Sequence, residues 1–304
     1  MAERTISQIA EDNRSGAAEI LRLAAEAISL LDESEQKDVE GARGAVVAAC
    51  VTIVRAQPHM APLVNLASAA VRAAHAATRA GEVMRAAAAA ARAFSDDASQ
   101  ARAAAQSRAA GLILEGARVM THSRSSTVLA ALKMAKASGT CFSVVATASR
   151  PMLEGRALAE SLAGEAISVT LIADAAAAVA LEHVDSVLIG ADKITPEGLV
   201  NKIGTRMIAL AAGERGVPVY AICDTSKFTA QAVLSVSADK KSSDELWPGA
   251  PQGVEVFNTY FEATPLDYFT GIITEEGTLR PEQARRRAEA AAAHPALLGA
   301  LSRA

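Results

Sequence analysis

The chain is poor in rings and in cysteine, and it carries little net charge. Phe, Trp and Tyr together make up 3% of its 304 residues, so any core must be aliphatic. The three cysteines, Cys50, Cys141 and Cys223, are an odd count, far apart and without a CxxC pair. That excludes a disulfide framework and a zinc ribbon, and fits a reducing, cytoplasmic setting. No run of about 18 apolar residues is free of charge, so no membrane span and no membrane partner are expected. The formal net charge is −4, which argues against the broad basic field of a dedicated nucleic-acid binder. The first residues carry Glu3, Arg4, Glu11 and Asp12 and no apolar stretch, so a secretory signal is not expected there. GxGxxG after a strand, GxxxxGK[ST] and HExxH are all missing. This disfavours the usual dinucleotide, P-loop and zinc-hydrolase chemistries, and no cofactor or metal ion is expected.

What is abundant is Ala, Val, Leu and Ile, within a 51% hydrophobic composition. From Arg14 to Arg108 the chain is Ala-rich, with Ile20, Leu23, Ala24, Ala27 and Ile28 at helical spacing. Pro58 and Pro62 mark a loop over 56–62, after which helix is expected to resume from Leu63 to Ala93. The run Ala86–Ala91 favours helix and close helix packing. Residues 1–110 are therefore expected to form a helical domain.

From 111 to 304 the pattern alternates. Strands are expected at 118–121, 142–146, 167–172, 186–189 and 217–222. The helices between them are expected at 127–137, 154–162, 175–181 and 202–213. Short apolar strands separated by helices of about ten residues imply βαβ crossovers, hence an α/β domain with a Rossmann-like parallel sheet. Such sheets bind ligands beyond the carboxyl ends of their strands. Those ends lead into Thr121-His122-Ser123-Arg124, Ser149-Arg150-Pro151, Asp174, Asp192-Lys193 and Asp224-Thr225-Ser226-Lys227.

These groups suit an anionic ligand. Arg124, Arg150, Lys193, Lys202 and Lys227 supply cations. Asn201 and Lys202 are read as opening the fourth helix, where free N–H groups and the helix dipole favour phosphate. Asp192 follows Val187-Leu188-Ile189-Gly190-Ala191, and a carboxylate at such a tip is expected to be partly buried. Partial burial raises a carboxyl pKa and suits general acid–base work. The alternative is a turn residue ahead of Pro196-Glu197-Gly198.

Several of these segments together resemble a known family. Gly190-Ala191-Asp192-Lys193-Ile194 and Asn201-Lys202-Ile203-Gly204-Thr205 are similar to the signature of the translation initiation factor 2B alpha/beta/delta superfamily. That group also holds the methylthioribose-1-phosphate and ribose-1,5-bisphosphate isomerases. Ser149-Arg150-Pro151 with Glu154-Gly155-Arg156 resembles its "SRP…EGR" segment, and Asp224-Thr225-Ser226-Lys227-Phe228 its "ETYKF" segment. Thr121-His122 matches its "TH" turn, and Asn13-Arg14-Ser15-Gly16-Ala17 its N-terminal phosphate loop. The resemblance spans roughly residues 10 to 285. It implies an N-terminal helical domain, a Rossmann-like second domain and dimers or higher assemblies. It also implies that Arg14, Gly16, Arg150, Asn201, Lys202 and Lys227 contact a sugar phosphate.

In the isomerases a cysteine after the first strand and an aspartate in the Gly-Ala-Asp motif carry the chemistry. Here the aspartate is Asp192, while the cysteine position is Ser123, a much weaker acid than a thiol. Gln57 stands before Pro58 where the isomerases usually carry Arg. Two readings follow. One is an aldose–ketose isomerase of a sugar 1-phosphate, with Asp192 and Ser123 as its catalytic pair. The other is a non-catalytic, factor-like subunit that binds sugar phosphates, AMP or another nucleotide. Both imply a homodimer or a higher assembly without direct nucleic-acid contact.

Overall fold

A computed structural model describes residues 2–12, 17–31, 38–230 and 241–303. The chain divides into two compact units. One comprises Met1–Ala101, Ser226–Val233 and Arg287–Ala304, the other Arg102–Thr225 and Leu234–Arg286.

The first unit is helical. Its elements are α1 (Ala2–Glu11), α2 (Ala17–Ser29), α3 (Val39–Ala56), α4 (Ala61–Ala76) and the first part of α5 (Ala80–Ala110). Asp38 caps α3 by accepting the Gly41 N–H at 2.7 Å. Pro62 lies in the first turn of α4, where no intrahelical N–H is needed. The expected single helix from Leu63 to Ala93 is in fact two, because Ala77 is extended (φ −71°, ψ 138°). Nothing local in Ala76-Ala77-Thr78-Arg79 forces that break. It is held by Arg43, whose guanidinium donates to the carbonyls of Ala74, His75 and Ala77 at the end of α4. The core is small and aliphatic: Ile20, Leu21, Ile28, Val46, Ile53, Leu63, Leu66 and Val83 are buried with Ala87 and Ala91.

The second unit is built on a seven-stranded sheet. In chain order its elements are β1 (Arg118–Thr121), α6 (Ser126–Ala137), β2 (Ser143–Thr147), α7 (Glu154–Ala163), β3 (Ser168–Ile172), α8 (Ala177–Ala180), β4 (Ser186–Gly190), β5 (Lys193–Thr195), β6 (Gly198–Lys202), α9 (Thr205–Glu214), β7 (Val219–Ile222), β8 (Phe261–Thr264), β9 (Gly271–Thr274), β10 (Gly277–Leu279) and the first part of α10 (Pro281–Glu289). A last helix, α11 (Pro295–Arg303), belongs to the helical unit.

The sheet order is β10-β9-β7-β4-β1-β2-β3, all parallel except the β9–β10 hairpin. Central strands have both faces covered: Val119, Met120, Val144, Val145, Val187, Leu188 and Ile189 are all buried. One face packs on α6, α7 and the end of α5 through Val128, Leu132, Leu158, Leu162 and Ala105. The edge strand β3 is largely exposed.

One expectation fails in an informative way. Asn201 and Lys202 do not open a helix. They end β6, which pairs antiparallel with β5 and β8 in a separate three-stranded sheet. The β5–β6 hairpin is an insert between β4 and α9 in the chain, and β8 joins it from beyond β7. Among the described residues no helix is long and apolar enough to cross a membrane.

Candidate functional site

The chain leaves β1 to one side, toward β2 and β3, and returns on the other side at β4. The order therefore reverses between β1 and β4, and in parallel sheets that is where ligands sit, beyond the carboxyl ends. Ser123 follows β1 and Asp192 follows β4. The two loops touch: a Cβ on Gly190 would lie 2.5 Å from Ser125 Oγ, so only glycine fits that strand tip. Ser123 is half-buried with φ 65°, a left-handed backbone that a non-glycine residue keeps only when its surroundings dictate it.

Those surroundings form a connected network. The Ser123 N–H donates to Ser149 Oγ at 2.8 Å. Ser149 and Arg150 donate their N–H groups to the two oxygens of Asp174, at 2.7 and 2.8 Å. Ser149 Oγ lies 3.1 Å from Thr147 Oγ1, which is 2.6 Å from His122 Nδ1. The other ring nitrogen of His122 is 2.7 Å from the Ile203 carbonyl oxygen. Burial pushes the His122 pKa below its ordinary 6.5. The bond to Ile203 and the charges of Asp174 and Glu154 oppose that shift, and Lys202 adds to it.

Asp192 is half-buried, and its N–H donates to the Val200 carbonyl at 2.9 Å. That bond continues the β5–β6 pairing, so the insert that ends in Asn201 and Lys202 also fixes Asp192. Beside it Lys193 is buried, and desolvation lowers its pKa from 10.5 against the pull of Glu197. Asn201 Nδ2 donates to Thr205 Oγ1 at 3.0 Å, and that hydroxyl donates to the Lys202 carbonyl at 2.7 Å. The Lys202 ammonium is 2.8 Å from Glu154 Oε1 and 4.9 Å from the centre of the Tyr260 ring. Glu154 Oε2 is buried with no hydrogen-bond partner. Gly155 permits this placement, since a Cβ there would lie 1.7 Å from the Thr147 carbonyl oxygen.

The expected anion site at the start of the fourth helix is already filled. Gly204 and Arg206 at the start of α9 donate their N–H groups to Glu262 Oε1, both at 2.8 Å. A carboxylate from β8 thus takes the role assigned to phosphate, and it supplies the cap that Gly204 lacks.

The structure links the Ser123, Arg150, Asp192, Asn201 and Lys202 segments at this end of the sheet. Arg150 is exposed and Lys202 buried. Arg14 and Gly16 lie outside the described residues. Lys227 falls in a segment of the helical unit, where Asn65 Nδ2 donates to the Ser226 and Phe228 carbonyls at 2.7 and 2.8 Å. Also in that unit, the Gln57 amide donates to the carbonyls of Ile9 and Asp12 at 3.0 and 2.9 Å, a tie between helices. Glu262, Tyr260 and Glu275 were not singled out by sequence. Glu275 accepts from the N–H of Thr225, at 3.1 Å, and from its hydroxyl.

The pattern of the initiation factor 2 subunit family matches residues 13–281. The chain belongs to this family. The ribose 1,5-bisphosphate isomerase of Archaeoglobus fulgidus is 41% identical over 177 residues, 57% of this chain and 56% of that protein. The chain thus spans about half the length of that relative. The ribose 1,5-bisphosphate isomerase of Haloterrigena turkmenica is 33% identical over 296 residues, covering 91% of this chain and 90% of that one. Among solved structures, the translation initiation factor eIF-2B of Pyrococcus horikoshii OT3 superposes with a TM-score of 0.77 at 30% identity, over 92% of this chain and 97% of that one. The family thus holds relatives named for sugar-phosphate isomerisation and others named for translation initiation.

Proposed function

We propose that this family member is an aldose–ketose isomerase of a sugar 1-phosphate of the ribose 1,5-bisphosphate kind. The observation that carries the reading is the position of Asp192. It is a half-buried carboxylate at the tip of β4, beside the reversal of strand order and one short hairpin away from Asn201 and Lys202. Relatives named for this reaction support it.

The reaction is redox-neutral within the sugar. The ring oxygen gains a proton as the ring opens, hydrogen passes from C2 to C1, and the C2 hydroxyl proton leaves as the ketone forms. One group that gives a proton and then takes one closes that count, and Asp192 is assigned to it. Arg150, Asn201 and Lys202 are assigned to the phosphates; for Arg14, Gly16 and Lys227 the phosphate role is the one that the family resemblance implies. Their binding energy would fix C1 and C2 against the carboxylate. Ser123 is assigned to a sugar hydroxyl. The protein is read as a cytoplasmic homodimer.

The test follows ketose formation by NMR from ribose 1,5-bisphosphate and methylthioribose 1-phosphate, with and without AMP. Asp192→Asn is expected to lower kcat by about 10²–10⁴-fold, and unchanged turnover refutes the assignment. A second reading rests on Ser123. If wild type makes no ketose and Ser123→Cys does, the pocket is one that binds sugar phosphate or nucleotide without converting it, as a regulatory subunit would.

A further inference from the structure

The candidate site is assembled from two pieces made separately by the chain. One is the pair of loops leaving β1 and β2, with Ser123, Ser149 and Arg150. The other is the turn from β6 into α9, with Asn201, Lys202 and Gly204. The buried His122 ring bonds to both, at 2.6 Å through Thr147 and at 2.7 Å through Ile203.

We propose that His122 is a positioning residue: a neutral imidazole, protonated on Nε2, that sets the spacing between the Ser123 loop and the Asn201–Lys202 turn. This rests on the reading of those two pieces as one sugar-phosphate site, and it adds a residue that acts through others.

The tautomer follows from donor arithmetic. The Ile203 carbonyl only accepts, so Nε2 carries the hydrogen, and Nδ1 accepts the Thr147 hydroxyl. The Thr147 oxygen is then open to the Ser149 hydroxyl at 3.1 Å, and Ser149 Oγ takes the Ser123 N–H at 2.8 Å. Position at His122 therefore passes through two hydroxyls to the backbone of Ser123. Asp174 anchors the same chain from the other side through Ser149 and Arg150.

Space at the second contact is equally constrained. Gly204 has φ +104°, and a Cβ there would lie 3.0 Å from both Cε1 and Nε2 of His122. The ring and the turn are built for each other.

The charges facing the ring are Asp174 after β3, Glu154 on α7 and Lys202 on β6. Protonation would turn Nδ1 from acceptor to donor. The Thr147 hydroxyl must then point at Ser149, and the Ser149 hydroxyl at the Thr147 carbonyl oxygen, 3.3 Å away. Acid thus reverses the hydroxyl order behind Ser123.

The test uses the full-length protein with ¹⁵N-labelled histidine, in wild type, Thr147→Ser and Thr147→Val. The His122 signal is identified by its loss in His122→Gln. Wild type and Thr147→Ser are expected to show the Nε2–H tautomer, with a midpoint below 6.5. In Thr147→Val, Nδ1 should shift to the position of an unbonded nitrogen. Turnover of ribose 1,5-bisphosphate on the same samples should fall about tenfold in kcat for Thr147→Val, with KM within twofold, and recover in Thr147→Ser. An Nδ1–H tautomer, a midpoint of 6.5 or above, or wild-type turnover in Thr147→Val would each overturn the proposal. Absence of turnover in wild type overturns the isomerase reading alone, and the tautomer and titration then decide the role of His122.

Discussion

Replacing Glu154 strips the buried Lys202 ammonium of its carboxylate partner. The pair is 2.8 Å apart, with side-chain exposures of 4% for Lys202 and 29% for Glu154. Breaking a buried pair from one side costs about 3–5 kcal/mol. The partial exposure of Glu154 and the surviving contact of Lys202 with Tyr260, worth about 1 kcal/mol, place Glu154→Ala near the low end, at about 3 kcal/mol. Glu154→Gln keeps a carbonyl acceptor and should lose about half of that. At roughly 2–4 °C per kcal/mol for a domain of this size, the melting temperature should fall by about 6–12 °C for Glu154→Ala. Urea unfolding followed by circular dichroism measures the loss directly, through the midpoint at unchanged slope. Adding Lys202→Met to Glu154→Ala removes the stranded charge and should recover most of the loss, leaving a coupling energy of about 2 kcal/mol. A cost below about 1 kcal/mol for Glu154→Ala would mean that the pair behaves like an exposed bridge. The buried position of Lys202 would then contribute little to the strength of the pair.

Other expected outcomes are more compact. Glu262→Ala leaves two N–H groups at the start of α9 without their carboxylate, and should cost about 1–2 kcal/mol in the same urea assay; an unchanged midpoint would mean that water caps the helix as well. Stability should fall on acidification. His122 and His294 both have pKa values lowered in the fold, His294 by burial and by the charges of His75 and Arg72. The unfolded chain therefore binds more protons below about pH 6.5. Their contribution is whole above that value and is lost as pH drops through it, with a slope of at most about 1.4 kcal/mol per pH unit for His122; a flat profile from pH 8 to 5 would contradict this. Thiol titration with a chromogenic disulfide at pH 8 should count one fast group, the exposed Cys141. Cys223 is buried and Cys50 is pushed up to about 12 by burial, so both should react only after unfolding.

The parallel strands were legible in the sequence because their apolar runs are short, β-branched and bounded by turn residues. Those expected at 118–121 and 186–189 match β1 and β4 to within a residue. Asn201 and Lys202 read as helical because Thr205, Ile208, Ala209 and Ala212, at helical spacing, follow close behind them. The start of the strand they occupy pairs locally with β5, but Asn201 and Lys202 themselves pair with Glu262 and Phe261 of β8, which no local window contains. Glu262 was missed for the same reason, since it lies 56 residues along the chain from Arg206, which it caps. The cluster of polar strand ends could be read from topology alone. That His122 is held between Thr147 and Ile203 could not, because the contact joins residues 81 positions apart.

The insert between β4 and α9 has a consequence for biosynthesis. As the chain emerges, β1 to β4 and the helices between them can assemble from local and near-local contacts. The hairpin of β5 and β6 then waits for β8, and α9 for Glu262. At about 5–20 residues per second, the 58 positions between Gly204 and Glu262 take about 3–12 s to translate. During that interval the nascent protein carries most of its sheet but an unfinished centre. A ribosome that stalls within this window releases a product that resembles the finished protein in its framework and lacks the fixed turn on which Lys202 sits.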